Sequence, residues 1–172
     1  MNPNLEKQAT LTAEKLRQIL SYDPDIGVFR WRSLPLKQSH MLGTIAGYRN
    51  KSNYGYCSIS IGNKRYYIHR LAWLYVTGEW PKNSIDHIDG DRHNNCFDNL
   101  RDVTSAVNSE NRHYPQSGNK SGYVGAYFRR GQWYSGISVR GKSIWLGSHK
   151  SAEAAHSAYL QAKRKYHEGS TV

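Results

Sequence analysis

Cysteine is scarce in this chain: Cys57 and Cys96 are the only two among 172 residues. Two thiols so far apart in sequence make no disulfide framework. Without any C-x-x-C pair they do not read as a zinc cage either, although His93 lies close to Cys96. Long apolar runs are missing too. No stretch approaches the roughly 20 residues that a membrane helix needs, and no apolar segment of signal-peptide type follows Met1. The expectation is a cytoplasmic protein with no membrane role. Acidic residues are few, 13 Asp and Glu against 24 Lys and Arg, for a formal net charge of +11. Such an excess favours a polyanionic partner, because each phosphate that a cation neutralises releases condensed counterions. A basic but idle surface is the alternative.

Aromatic residues, by contrast, are plentiful, with 13 Tyr and 5 Trp. They suit a core of amphipathic rings as well as a surface that packs on sugars or bases. The length allows one compact domain or two small ones, and the turn and strand signals predict an α+β fold.

Residues 1–9 are polar and read as a frayed end. Thr12 then caps a short helix from Ala13 to about Leu20, with Leu11 and Leu16 as a hydrophobic staple. Tyr22-Asp23-Pro24-Asp25 stops it. Residues 27–32 alternate as a strand on which Arg30 and Arg32 share a face, for phosphate contact or simply for solvent. Residues 33–53 read as loop with a short strand near Thr44-Ile45-Ala46. Runs at 54–61 and 64–68 form a hairpin about Gly62-Asn63, followed by a helix over 69–76 that Thr77-Gly78 closes. His69 is read as a capped, hydrogen-bonded or site-supporting residue and not as a catalytic one.

The stretch from Ser84 to Asn108 is the centre of the chain. It runs from a short apolar strand ending in Asp86-His87, through a turn-rich loop of Asp, Gly and Asn, to a second run at Leu100–Val103 and then to Thr104, a good N-cap. The reading is strand, loop, strand, helix, with the helix continuing to His113. An imidazole with an unperturbed pKa of roughly 6.5 suits deprotonation of a water near neutral pH. Carboxylate and amide oxygens suit a hard cation such as Mg²⁺ or Mn²⁺ whose remaining positions are filled by water and phosphate. Taken singly, these residues are ordinary turn formers; their joint spacing is the signal.

Asp86-His87-Ile88-Asp89-Gly90, Asn94-Asn95, Asn99-Leu100-Arg101 and Asn108 together resemble the ββα-metal motif of the HNH nucleases, most of all the phage homing endonucleases whose last motif residue is Asn. The resemblance implies His87 as general base, Asp86 and Asn108 as ligands of Mg²⁺ or Mn²⁺, and Asn99 as a clamp on the loop. It also implies double-stranded DNA as the partner, in a phage-infected bacterial cell. Arg112 falls where DNA backbone would run. One such set per chain suggests a monomer that nicks, with a dimer as the route to a double-strand break. A non-cleaving DNA-binding regulator and a nonspecific nuclease are the rival readings.

Residues 114–122 are linker-like and divide a nuclease domain (1–113, with the motif at 84–113) from a second module at 123–168. There, strands at 123–129, 132–139 and 143–147 form a meander, with turns at Arg130-Gly131 and Arg140-Gly141-Lys142. Ser151 caps a helix from Ala152 to about Tyr166 with an apolar stripe of Ala155, Ala158, Tyr159 and Ala162. The runs Gly122-Tyr123-Val124-Gly125-Ala126, Gly131-Gln132-Trp133, Ile144-Trp145-Leu146-Gly147 and Ser151-Ala152-Glu153-Ala154-Ala155 resemble the DNA-binding domain of the plant APETALA and ethylene-response factors. That family lays its sheet in the major groove. Period-two counting, with Trp133, Ile137, Ile144 and Leu146 turned to the helix, leaves Tyr127, Arg129, Tyr134, Ser138, Arg140, Ser143 and Trp145 facing outward. Val124, Tyr127, Ser138 and Ser143 stand where the plant domains carry arginine, so the bases read do not carry over. With Arg130 and Lys142 at the turns, the surface is basic and aromatic, for DNA recognition or for packing. Residues 114–172 hold nine Lys and Arg against two acids, a net of +7, whereas residues 1–113 hold fifteen against eleven, a net of +4.

Overall fold

The computed structural model describes residues 11–49, 55–115 and 118–171. The expected frayed segment 1–9, loop residues 50–53, the strand start at Tyr54 and linker residues 116–117 lie outside the described residues. The architecture is α+β, with small antiparallel sheets and a few helices. Two units can be separated, residues 1–103 and 104–172.

In the first unit, Thr12 opens helix α1 (Ala13–Ile19), its hydroxyl oxygen accepting from the Lys15 N–H at 3.2 Å. The helix stops at Ile19 because the chain turns at once into strand β1 (Leu20–Asp23), which pairs antiparallel with β2 (Val28–Trp31). Sequence patterning reads Tyr22–Asp25 only as a stop; Tyr22 and Asp23 belong to a strand. Residues 44–46 run beside β2, joined through a single bridge at Arg30 and Ile45, and the short strand of this region is β3 (Tyr48–Arg49). It pairs with β4 (Cys57–Ile61), which turns through Gly62-Asn63 into β5 (Lys64–Tyr67).

Helix α2 (Ile68–Thr77) follows, ended by Gly78 at φ +84°, whose N–H reaches the Leu74 carbonyl at 3.0 Å. Leu71 and Leu74 are buried from this helix, packed with Leu16, Leu20, Phe29 and Ile59. Burying side chains of this size is what stabilises a small unit, at about 1.5–3 kcal/mol each. The hairpin of β6 (Ser84–His87) and β7 (Leu100–Val103) joins that core through Ile85 and Leu100, in a register that sets Asp86 opposite Arg101 and His87 opposite Leu100.

The second unit starts with helix α3 (Ser105–Glu110), capped by Thr104, whose hydroxyl accepts from the Val107 N–H at 3.4 Å. The helix ends at Glu110 rather than at His113. Residues 118–122, read as linker, hold a turn in which Asn119 Oδ1 accepts from the backbone N–H groups of Ser121 and Gly122. Strands β8 (Ala126–Arg129), β9 (Gln132–Val139) and β10 (Lys142–His149) form a meander in the order β10-β9-β8, and helix α4 (Ala152–Tyr166) packs on one face. Both turns are tight: Arg130 and Arg140 each take φ +49°, with glycine next in the chain, as two-residue hairpin turns require. Ala155, Tyr159 and Ala162 are buried as the stripe predicts, whereas Ala158 is half-buried and Lys163 is wholly buried.

Candidate active site and sheet surface

Asp86 and His87 end β6, and pairing with β7 holds their backbone. The carboxylate of Asp86 is 6% exposed and accepts on Oδ2 from Arg101 Nε at 2.9 Å and from the Arg101 terminal nitrogen at 2.8 Å. Arg101 sits across the ladder from Asp86, so the register itself makes this pair. A buried carboxylate with no counter-charge would be costly; this one is neutralised within the first unit.

His87 is 4% exposed, with Nε2 3.4 Å from Asn95 Oδ1. Burial pushes its pKa below the usual histidine value, against the pull of Asn95 and of the carboxylates Asp89, Asp86 and Asp91. The ring is therefore neutral at physiological pH, as a proton acceptor must be. Its neighbour is His69 on α2, whose ring lies edge-on at 5.2 Å between centroids. His69 is buried beside Tyr56 and stacked on Tyr67, its Nδ1 without a hydrogen-bond partner, and burial drives its pKa down to about 3.

The loop over residues 88–99 is closed by its own amides. Asn99 Oδ1 accepts from the Asp89 N–H at 3.0 Å, while Asn99 Nδ2 donates to Asp89 Oδ1 at 2.9 Å and to the Asn94 carbonyl at 2.8 Å. Asn94 Nδ2 donates to Asp89 Oδ2 at 2.7 Å. Burial alone would raise the Asp89 pKa, but these amides and the Asp91 N–H outweigh it and hold the carboxyl below its usual range.

The β1–β2 turn braces the same loop from outside. Tyr22 Oη donates to the Asn95 carbonyl at 2.6 Å, Cys96 Sγ to the Asp25 carbonyl at 2.9 Å, and the Phe97 N–H to the Pro24 carbonyl at 2.9 Å. Gly27 has φ +69°, and a β-carbon there would stand 2.3 Å from the Asn95 carbonyl carbon. Only glycine meets both conditions. A chain of contacts thus runs from Gly27 and Tyr22 through Asn95 to the His87 imidazole.

Of the residues singled out in the sequence, Asp86, His87 and Asn99 lie together in the first unit, whereas Asn108 lies on α3 in the second. Arg30 donates to the Gly43 carbonyl at 3.1 Å and Arg32 to the Arg17 carbonyl at 3.5 Å, both remaining exposed. Asn95, Arg101 and Tyr22 carry no assigned role in the sequence reading, and His69 is read there only as a capped, hydrogen-bonded or site-supporting residue. The pairing of Arg101 with Asp86 would follow from the β6–β7 register, but a loop of this length leaves that register open.

In the second unit the outward set is as period-two counting gives it. Tyr127 and Tyr134 stack at 5.8 Å with an interplanar angle of 20°, and are 47% exposed and half-buried respectively. Trp145 is 68% exposed and faces Gly136 across the ladder. Arg129, Arg130, Arg140 and Lys142 are exposed, and Arg140 pairs with Glu168 at 3.1 Å. Arg112 is exposed, while its carbonyl accepts from Lys163 Nζ at 2.8 Å. Ile137, Ile144 and Leu146 pack toward Tyr159 and Ala162, but Trp133, on the same face, lies against Phe128 at 5.0 Å. Between Trp145 and Gly147 the ladder shifts by one residue, a bulge that period-two counting does not foresee.

A family model described as HNH endonuclease matches residues 66–110. Among solved structures, one titled as DNA binding and cleavage by the HNH homing endonuclease I-HmuI is similar at a TM-score of 0.41 and 21% identity, over 87% of this chain and 88% of that one. No curated protein sequence matches the chain. HNH nucleases use a divalent metal ion. The carboxylate of Asp86 is a hard oxygen donor of the kind that suits Mg²⁺ or Mn²⁺. Among the described residues no group of three or more His, Cys, Asp or Glu side chains is placed to hold a metal ion. The segment that matches the HNH endonuclease model contains the whole β6–loop–β7 site.

Proposed function

We propose that the chain is a homing-type, metal-dependent endonuclease that nicks or cuts double-stranded DNA, with its C-terminal sheet binding the duplex. The observation that carries the reading is the buried, neutral imidazole of His87 beside Asp86, inside the segment that matches the HNH endonuclease model. His87 takes a proton from the attacking water. Asp86 and Asn108 would hold Mg²⁺ or Mn²⁺, which supplies charge compensation at the phosphate and the departing 3′ oxygen. Asn99 fixes the loop and Asn95 the ring, so the base keeps one orientation.

Tyr127, Tyr134 and Trp145 offer rings to sugars or bases, and Arg30, Arg32, Arg112, Arg129, Arg130, Arg140 and Lys142 offer charge to phosphates. The net of +7 on residues 114–172 supports that division of labour. Nicking of supercoiled plasmid with and without Mg²⁺ tests the reading. Cutting that needs the ion and disappears in His87→Ala supports it; intact plasmid under every condition, with DNA still bound, would assign the chain to regulators instead.

A further inference from the structure

The short helix carrying Asn108 is fastened by the end of the chain. Residues 167–171 leave α4 and cross to α3 by contacts that all lie within the second unit. Nε2 of His167 donates to the Ser138 carbonyl of β9 at 2.8 Å, which ties the start of this tail to the sheet. The Gly169 N–H donates to Glu110 Oε2 at 3.1 Å. Thr171 Oγ1 donates to Asn111 Oδ1 at 2.6 Å, and His113 Nε2 stands 3.0 Å from the same hydroxyl.

Asn111 is the C-cap of α3 and is buried. From α4, wholly buried Lys163 places Nζ on the Arg112 carbonyl at 2.8 Å. The tail also lies very close to the helix: a β-carbon on Gly169 would come within 2.3 Å of the Val107 carbonyl oxygen. A six-residue helix has almost no stability of its own, since nucleation costs more than one turn of hydrogen bonds returns. Its orientation must come from what it touches.

We propose that Lys163, Gly169 and Thr171 are positioning residues for Asn108, holding helix α3 in one orientation. This rests on the reading of Asn108 as a ligand in the nuclease site. Each contact acts on a residue one to five positions from Asn108, on the helix itself or just after it. Loosening them frees α3 without touching the sheet surface or the β6–β7 loop.

The test uses the full chain, with plasmid as substrate. In Thr171→Val, amide hydrogen exchange over residues 107–111 should speed up, by up to roughly tenfold, in the metal-free protein, as expected for the loss of one part-buried hydrogen bond. Single-turnover nicking should slow by a similar factor, and the Mg²⁺ concentration for half-maximal rate should rise, while DNA affinity without divalent ion stays as in wild type. Thr171→Ser keeps the hydroxyl and should restore both exchange and rate. Gly169→Ala should have the larger effect, on the order of a hundredfold in rate, by displacing the tail. Wild-type exchange in Thr171→Val, or faster exchange with an unchanged rate, overturns the proposal. Failure of the underlying reading looks different: Asn108→Ala would then nick as fast as wild type.

Discussion

The β6–β7 loop and the outer face of the β8–β9–β10 sheet both display polar and aromatic side chains on antiparallel hairpins, yet they treat them in opposite ways. In the loop, Asn94, Asn95, Asn99 and Asp89 are each bonded to other parts of the same loop, and His87 is enclosed. On the sheet, Trp145 and Tyr127 stand in solvent, and charges surround them on short, exposed turns. Under the proposed function, the difference separates two tasks. A proton acceptor must hold one orientation before the substrate arrives, whereas a surface that meets a long, variable polymer gains from side chains that can settle against it.

If that contrast is real, damage to the enclosed region should be severe and specific to turnover. His87→Ala is the largest case. Nicking should fall by roughly 10²–10⁴ with plasmid binding retained, because the general base is gone and the fold is not. Gly27→Ala reaches the same loop from behind. Its left-handed backbone and the contact with Asn95 predict a loss on the order of 3 kcal/mol in urea unfolding, together with slower cleavage. A variant as stable as wild type would mean that the β1–β2 brace is unimportant.

Acid should act next. Buried His69 has a folded pKa of about 3 against 6.5 for a free ring, so between those values the unfolded chain binds a proton that the folded chain refuses. Stability is therefore complete above pH 6.5 and declines as pH falls, by about 2 kcal/mol between pH 6.5 and 5, at one proton per molecule. His87, lowered by burial as well, works in the same direction. Urea midpoints at pH 7 and 5 measure the slope, and His69→Phe should flatten it. The smallest effect belongs to the sheet. Trp145→Ala should weaken DNA binding by roughly tenfold, with nicking at saturating DNA unchanged. A fall in the saturated rate would instead make Trp145 part of the catalytic geometry.

What could be read from the chain divides along the range of the interactions involved. The Thr12 and Ser151 caps, the Gly62-Asn63 turn, the Gly78 stop and the outward set on the sheet depend on residues within a few positions of one another, so patterning finds them. The β6–loop–β7 path is legible for the same reason, with Asp86, His87 and Asn99 in it. What patterning misses is long-range. Strand β1 exists because β2 pairs with it, despite Pro24 just beyond its end. Arg101 meets Asp86 through a register that a long loop does not announce. The end of α3 is held by residues 163–171, some 50 to 60 positions away. Residue periodicity contains no trace of such contacts.

The pairing of Asp86 with Arg101 also limits how this chain can vary over time. Side chains alternate along a strand, so shifting β7 by one position would swap which of its residues share a face with Asp86 and His87. Asn99, which must reach Asp89 and Asn94 from the end of the loop, would shift with it. Insertions or deletions of single residues between Ile88 and Asn99 should therefore be eliminated in descendants, while point changes at exposed Arg92 pass. Length, more than composition, is the inherited quantity in this segment.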